Sequence, residues 1–502
     1  MTQKRERRWL FGDQLGPHFL DEPKQRVLLI ESKAVFARRR FHRQKAHLVL
    51  SAMRHRAAEL GSQCQYVRAG TYREALASVR EPLSVCHPTS WAALDLVQTL
   101  TGERDLELLP ARGFVTPMSD FASWAKGRGS KRLLLEDFYR EARRRLDILM
   151  DGAEPAGGRW NFDAENREPP PKQPRRPALD APQPWWPKED AIDEEVRRDL
   201  DRWEAAGEVA FVGDDGPRRF AVTRREARSA LRTFVRDRLP TFGRYEDAML
   251  AGDDWMAHSL LSAPLNLGLL DPLEVVQAAA DAYRQGDAPI PAAEGFVRQI
   301  LGWRDYVWHL YWQQGKQYRR RNELDAHGAL PRWFTELDAG GTVEARCLSE
   351  VLRGVREHGW VHHIPRLMVL GNYAMQRGWR PSAVTDWFHR SFVDGYDWVM
   401  VPNVVGMSQH ADGGVMATKP YAAGGAYINR MSDFCGSCRY TPTVRVGEDA
   451  CPFTAGYWTF LDRHRERFAA NPRMSQPIRG LDRLSDLPAV VSQERDRGSR
   501  AP

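Results

Sequence analysis

The chain has 502 residues, a net charge of +7 and arginine as its main cation. That length exceeds a single compact core, so two or three domains are expected. No run of eighteen apolar residues exists, which excludes a membrane-spanning helix, and six cysteines are too few for a disulfide scaffold and suit a reducing cytoplasm.

The N-terminus, MTQKRERRWLFGDQLG, is basic but lacks a long apolar run and a small-residue cleavage site, so it does not read as a signal peptide. Short apolar runs follow at 8–11, 27–30, 63–67 and 83–86, with a partial helical stripe over 45–60 carried by Leu48, Ala52, His55 and Leu60. Short strands alternating with helices predict a doubly wound parallel sheet, whose ligands sit beyond the carboxyl ends of the strands. No G-x-G-x-x-G follows the first run, so a standard dinucleotide fingerprint is absent. Residues 133–150 read as a helix. The stretch 169–187 holds eight prolines and reads as an extended connector. From 223 to 467 the pattern is helical, with helices expected at 344–359, 361–378 and 381–391 and a strongly aromatic stretch at 294–312. Residues 392–440 read as loop-rich, and the last ten residues as disordered. Nine of seventeen tryptophans fall from Trp303 onward, which places an aromatic-lined site in the C-terminal part.

Cys347, Cys435, Cys438 and Cys451 flank that part. Four thiolates at this spacing suit either a structural zinc or an iron–sulfur cluster. The positive charge suits a polyanionic partner, or equally an arginine-rich solvated surface.

Several stretches together resemble the iron–sulfur bacterial cryptochromes and photolyases. They are FGDQL, HRQKAHLVLSAMRH, EDFYREARRR, GGRWNFDAENR, LNLGLLDP, GFVRQILGWRDYV, HHIPRLMVLGN, FVDGYDW, PNVVGMS, ATKPYAAGGAYINRMSDFCGSC and ACPF, in order from Phe11 to Phe453. The resemblance implies an α/β N-terminal antenna-type domain (1–150), a connector (151–222), an all-α domain holding flavin adenine dinucleotide (FAD) and a cluster (223–475), and a polar, partly disordered tail (476–502). It implies light-driven repair of (6-4) photoproducts by a monomer acting on UV-damaged DNA, with a blue-light photoreceptor of the same fold as the alternative. It makes the four cysteines ligands of a [4Fe–4S] cluster, in the first place a structural staple.

The resemblance further places His258, Ser259, Ser262 and Asn266 near the FAD phosphates or sugar, and Arg298, Gln299 and Arg304 on a helix where one arginine serves FAD. Asp394 faces the flavin ring, with Asn403 just beyond and Met400 where the family has a glutamate. His363, then His362, is the expected proton donor to the lesion. Tyr421 lies near the lesion pocket, and Arg366 holds a DNA phosphate. Trp387 matches an electron-transfer tryptophan, but Phe388 and Ala339 stand where the family has tyrosine and tryptophan, leaving Trp360, Trp379 or Trp398 as substitutes. Glu31 matches a residue of a ribityl-lumazine antenna site, whereas Val35 and Arg38 depart from it.

Overall fold

The computed structural model describes residues 6–171, 179 and 181–502. Part of the predicted proline-rich connector, at 172–178 and 180, lies outside the described residues.

Strands β1 (Arg7–Leu10), β2 (Val27–Ser32), β3 (Cys64–Ala69), β4 (Leu83–Cys86) and β5 (Leu106–Leu109) form one parallel sheet in the order β3–β2–β1–β4–β5. Trp9 on the central strand pairs with Leu28 on one side and Val85 on the other. β1, β2 and β4 are buried along their whole length. Burial on both faces explains why they read as continuous apolar runs. β5 was not expected: in Leu106-Glu107-Leu108-Leu109 only Leu106 is buried, as on an edge.

One sheet face carries its own core of Trp9, Phe11, Leu28, Ile30 and Val85. The other, with Leu10 and Leu29, joins α1 (Arg43–Leu60) and residues of the helical part, among them Phe234, Leu265, Val297 and Leu301, in one continuous core. The sheet and the helical part therefore share buried surface. α1 is wedged between them, and its first turns bury even polar residues: Arg43, Gln44, Lys45 and His47. α2 (Ala191–Ala205) packs on its outer side.

Beyond lie α3 (Ile290–Val297), α4 (Asp305–Gln314), α5 (Arg346–His358), α6 (Pro381–Ser391), α7 (Pro452–Arg463) and α8 (Leu487–Arg497). α5 stops at Gly359, whose φ of 59° is the left-handed cap that glycine adopts without cost. Four segments among the described residues are wide, π-type turns: Phe234–Arg238, Arg298–Arg304 between α3 and α4, Pro365–Gly371, and Pro402–Ser408. The stretch 392–440 is less irregular than expected, because it contains helices Asp397–Val401 and Gly425–Met431. The tail is a correction. It is folded, not disordered: Arg445 grips Asp486 with both carboxylate oxygens accepting, Gln493 and Gly447 exchange hydrogen bonds, and the Pro502 carbonyl accepts from the Glu344 and Ala345 amides. Each contact joins α8 or its flanks to a cysteine-bearing segment, and composition alone does not show such pairing.

At the seam of sheet and α2, Arg54 donates to both oxygens of Glu31 (3.0 and 2.8 Å) and reaches Asp199 at 2.6 Å, and the Tyr66 hydroxyl also donates to Glu31. Glu31 is 2% exposed. Replacing Arg54 by Met leaves this carboxylate buried without its cation. The expected loss is about 3–5 kcal/mol of stability, read by denaturant unfolding, because breaking a buried pair strands a charge.

Candidate functional site

Two loops meet below the sheet. One follows α5 and carries His362, His363 and Arg366, and the other follows α6 and carries Asp394. The Val393 amide donates to the Gly359 carbonyl (2.9 Å) and joins them. Arg366 grips Asp394 as a fork, NH1 to Oδ1 at 2.8 Å and NH2 to Oδ2 at 3.0 Å. Its Nε donates to the Val361 carbonyl and its plane lies 4.2 Å from the Phe392 ring centre. From a third segment the Ser262 hydroxyl donates to Asp394 Oδ2 (2.7 Å), and the Asn266 amide donates to the Asp394 carbonyl (3.0 Å). Each of the three guanidinium nitrogens of Arg366 thus has a partner within the protein.

His258 stacks on His362 with ring centres 4.2 Å apart. The strip of backbone that presents His258 is unusual, since Met256 and Leu260 both have positive φ. Burial, reinforced by the neighbouring cations and histidines, pushes His258 down to about 3 and His362 well below the ordinary imidazole range. His362 Nδ1 is buried with no partner among the described residues. His363, the next residue, is exposed. Loss of water and the Arg366 cation hold it at about 4.

Ser259 stands apart from this group. Its hydroxyl accepts from the Leu261 amide, and it lines a small cavity with Arg219, Arg238 and Trp185. Arg238 has only carbonyls for partners, those of Pro182, Trp255, Met256 and His258, and burial lowers it to about 10. Two arginines and a hydroxyl suit an anionic group. Neither arginine was singled out from sequence, where both sit in basic runs without a motif.

The predicted set on the aromatic stretch separates. Arg298 is paired with Asp163 (3.1 Å) and Glu294 (3.4 Å), and Gln299 donates to Glu246 (2.7 Å). Burial raises Glu246 to about 8. Tyr421, 36% exposed, lies toward the same acidic group, feeling Asp163, Asp247 and Arg167. Arg304 donates to the Gly113 and Leu265 carbonyls and sits between the Phe114 and Trp398 rings. Asn403 donates to its own helix at Val399, and Met400 is buried in the apolar core with Val404 and Met407.

Trp387 is buried, donates to the Phe334 carbonyl and touches Phe334 (4.3 Å), Phe388 (5.0 Å) and Phe392 (5.9 Å). Of the three substitute tryptophans, Trp379 shares Phe334 with it (4.8 Å) and also touches the partly exposed Trp333 (6.0 Å). Trp360 stacks instead on Trp255, and Trp398 meets Phe114 and Trp308 edge to face.

The four predicted ligand cysteines are free thiols lining one cavity with Gly425, Phe434 and Tyr440. Burial and the other three thiols raise Cys347. Among the described residues, the one trio of ligand atoms lying within 4.8 Å of one another is His55, Asp190 and Asp193. No three of these sulfurs are that close. Four thiols around one cavity suit a metal ion or a cluster. A side chain at Gly425 would stand 2.7 Å from Cys451 Sγ and from the Pro442 carbonyl.

The lumazine donor set does not fit: Glu31 is buried, with Arg54 and Tyr66 donating to its oxygens.

Residues 8–209 match the family model described as deoxyribodipyrimidine photo-lyase-related protein. A (6-4) photolyase of Agrobacterium fabrum (strain C58 / ATCC 33970) is 40% identical over 500 residues, 95% of each chain. A bacterial class III photolyase structure from Agrobacterium tumefaciens superposes with a TM-score of 0.57 at 15% identity, over 99% of this chain and 97% of that one. A Synechocystis sp. PCC6803 cryptochrome structure gives 0.51 at 12% identity, over 82% of this chain and 84% of that one. At these identities the two structures speak to the fold.

Two outcomes are expected. Unfolding frees His258 and His362 to bind protons at their ordinary pKa near 6.5, so the stability they contribute is complete above that value and is lost as pH falls toward about 3. The thermal midpoint therefore falls between pH 7 and pH 5, and less steeply in His258→Gln. Gly425→Ala is expected to lower bound iron and sulfide in the purified protein, read by chemical assay, while the far-UV spectrum is retained.

Proposed function

The chain belongs to the bacterial photolyase–cryptochrome family, and on that premise we propose that it is a lyase that repairs (6-4) pyrimidine–pyrimidone photoproducts in DNA under light. The observation that carries this reading is the convergence of Arg366, Asp394, Ser262 and Asn266 on one charge pair beside the stacked histidines, in a chain 40% identical to a (6-4) photolyase. The family implies FAD, and the residues fit it: Asp394 offers a fixed acceptor backed by a cation, and Arg219, Arg238 and Ser259 offer a cationic cavity for a diphosphate. When bound and reduced, FAD supplies the light-driven electron that opens the lesion.

The protein's own part is position and proton control. The lesion must leave the base stack to reach the site. His363, exposed next to the stacked His258–His362 pair, is the group placed to move a proton to the hydroxyl that changes base, with His362 second. A neutral imidazole must first gain that proton, and phosphates of bound DNA favour its doing so. The acidic group of Glu246 and Gln299, with Tyr421 nearby, is the further lesion-side wall. For the four cysteines we propose a [4Fe–4S] cluster acting as a staple for the C-terminal loop. For electron entry we propose Trp387 with Trp379 and Trp333. The photoreceptor alternative rests on Met400, Phe388 and Ala339, none of which removes a group assigned to proton transfer. No antenna step is drawn, because Glu31 is occupied.

The test is illumination of the photoreduced protein with an oligonucleotide carrying a (6-4) lesion. Loss of the lesion is expected, and its rate in His363→Ala is expected to drop by about 100-fold or more, the usual worth of a positioned proton donor. The visible spectrum should show flavin bands over a broad iron–sulfur shoulder without a lumazine band. A lesion that survives reducing light sinks the repair reading, and loss of a cyclobutane dimer instead replaces its substrate.

A further inference from the structure

The first turn of α1, which belongs to the α/β part, is built into the site. Helix C-termini leave carbonyls without partners, and cations are favoured there. α5 and α6 are the two helices whose following loops carry His362, His363 and Asp394, and their last carbonyls are satisfied from α1. His42 bonds the Arg356 carbonyl through Nε2 (3.0 Å) while its Nδ1 accepts from the Gln44 amide (3.2 Å), which fixes the ring tautomer. The Gln44 side chain donates to the Glu357 carbonyl, and the His42 amide donates to the Arg390 carbonyl (2.8 Å).

Lys45 completes the set. Its ammonium is deeply buried and donates to two carbonyls, His389 at the end of α6 and Gly395, each at 2.5 Å. The rings of Phe41 and Tyr396 cover it at 5.0 and 5.6 Å. One nitrogen thus bridges residues 389 and 395, and Asp394 lies on the short arc between them. The facing charges are Asp394, Asp397 and Arg39, and burial lowers Lys45 to about 7 against the pull of the two carboxylates. Among the described residues no acidic side chain pairs with the ammonium directly, so its two hydrogen bonds act on backbone that carries a site residue. Gly395 suits the arc, because a side chain there would stand 2.8 Å from the His389 and Phe388 carbonyls.

We infer that Lys45 is a positioning residue of the site, clipping the arc from 389 to 395 so that Asp394 meets Arg366 and the flavin ring in one orientation. The inference rests on the proposed flavin-dependent reading only in its last clause. It makes the α/β part a structural determinant of the flavin site, whether or not that part carries an antenna.

The experiment compares wild type, Lys45→Met and Lys45→Arg. Methionine keeps the length and apolar stem without the donors. Arginine keeps the charge but cannot set one nitrogen between both carbonyls. Backbone hydrogen exchange is measured on the flavin-free full chain. In Lys45→Met, amides of 392–397 are expected to exchange about tenfold faster or more, as for a locally opened segment, while 27–32 in the sheet is unchanged. Lys45→Arg should fall between the two. In the flavin-loaded proteins the FAD dissociation constant should rise about tenfold in Lys45→Met, since sub-ångström misplacement weakens an oriented site, and the flavin absorption bands should shift. Unchanged exchange at 392–397, or faster exchange spread evenly over the chain, overturns the inference. If wild type takes up no FAD, the family-based reading fails while the exchange result still decides the role of Lys45.

Discussion

The buried pair of Arg366 and Asp394 is the constraint on which the rest of the site depends. Taking two charges out of water costs several kcal/mol for each, and only good geometry with every remaining lone pair satisfied offsets it. The protein supplies that geometry from three segments distant in sequence. Ser262 and Asn266 come from the turn before 272, Val361 from the loop after α5, and Phe392 from the loop after α6. None of these segments is held by a long helix of its own at that point. Each is fixed because leaving would strand a charge. The pair therefore couples the folding of the three loops, and it explains why so much polar machinery from α1 is spent on the carbonyls at the ends of α5 and α6.

The same constraint separates what was legible in the sequence from what was not. The strands at 27–30 and 83–86 were visible because a parallel sheet covered on both faces needs unbroken apolar runs, and α6 was visible because Pro381 opens it and its apolar residues keep helical spacing. The cysteine set was legible as chemistry, since four thiols in that pattern leave few purposes other than a metal ion or a cluster. The partner of Arg366 was not legible, because sequence shows a cation and not the carboxylate it grips: Asp394 is twenty-eight residues away. The tail was misread because its arginines look like solvated charge, yet Arg445 and Arg497 are committed to Asp486, Glu494 and the Ala450 carbonyl. Lys45 sat in a matching motif without a visible task, because its partners are backbone carbonyls, which no sequence displays.

The wide turns show a further limit. A period of 3.6 predicts which residues share a face, and the segments Arg298–Arg304, Pro365–Gly371 and Pro402–Ser408 break that period. Pro365 and Pro402 lack an amide hydrogen, so the turns they open cannot close the usual ladder. Each break falls beside a site residue: Gln299, Arg366 and Asn403. An extra residue per turn re-aims the side chains that follow, a recurrent feature of functional helices. Arg298 and Arg304 consequently serve an ion-pair network and a pair of carbonyls, not one shared ligand.

Met400 has no proton to offer the site proposed for the flavin. It lies in the apolar core with Val404 and Met407, and a thioether neither donates a proton nor forms a strong hydrogen bond. Asp394 is already committed to Arg366 and Ser262, and burial keeps His258 and His362 neutral. Negative charge arriving in this site therefore meets one fixed counter-charge, the Arg366 guanidinium, with the Lys45 ammonium behind the loop, and no nearby acid to quench it at Met400. The groups left to respond are His363, which is exposed, and Lys45, whose pKa near 7 burial and two carboxylates set between them.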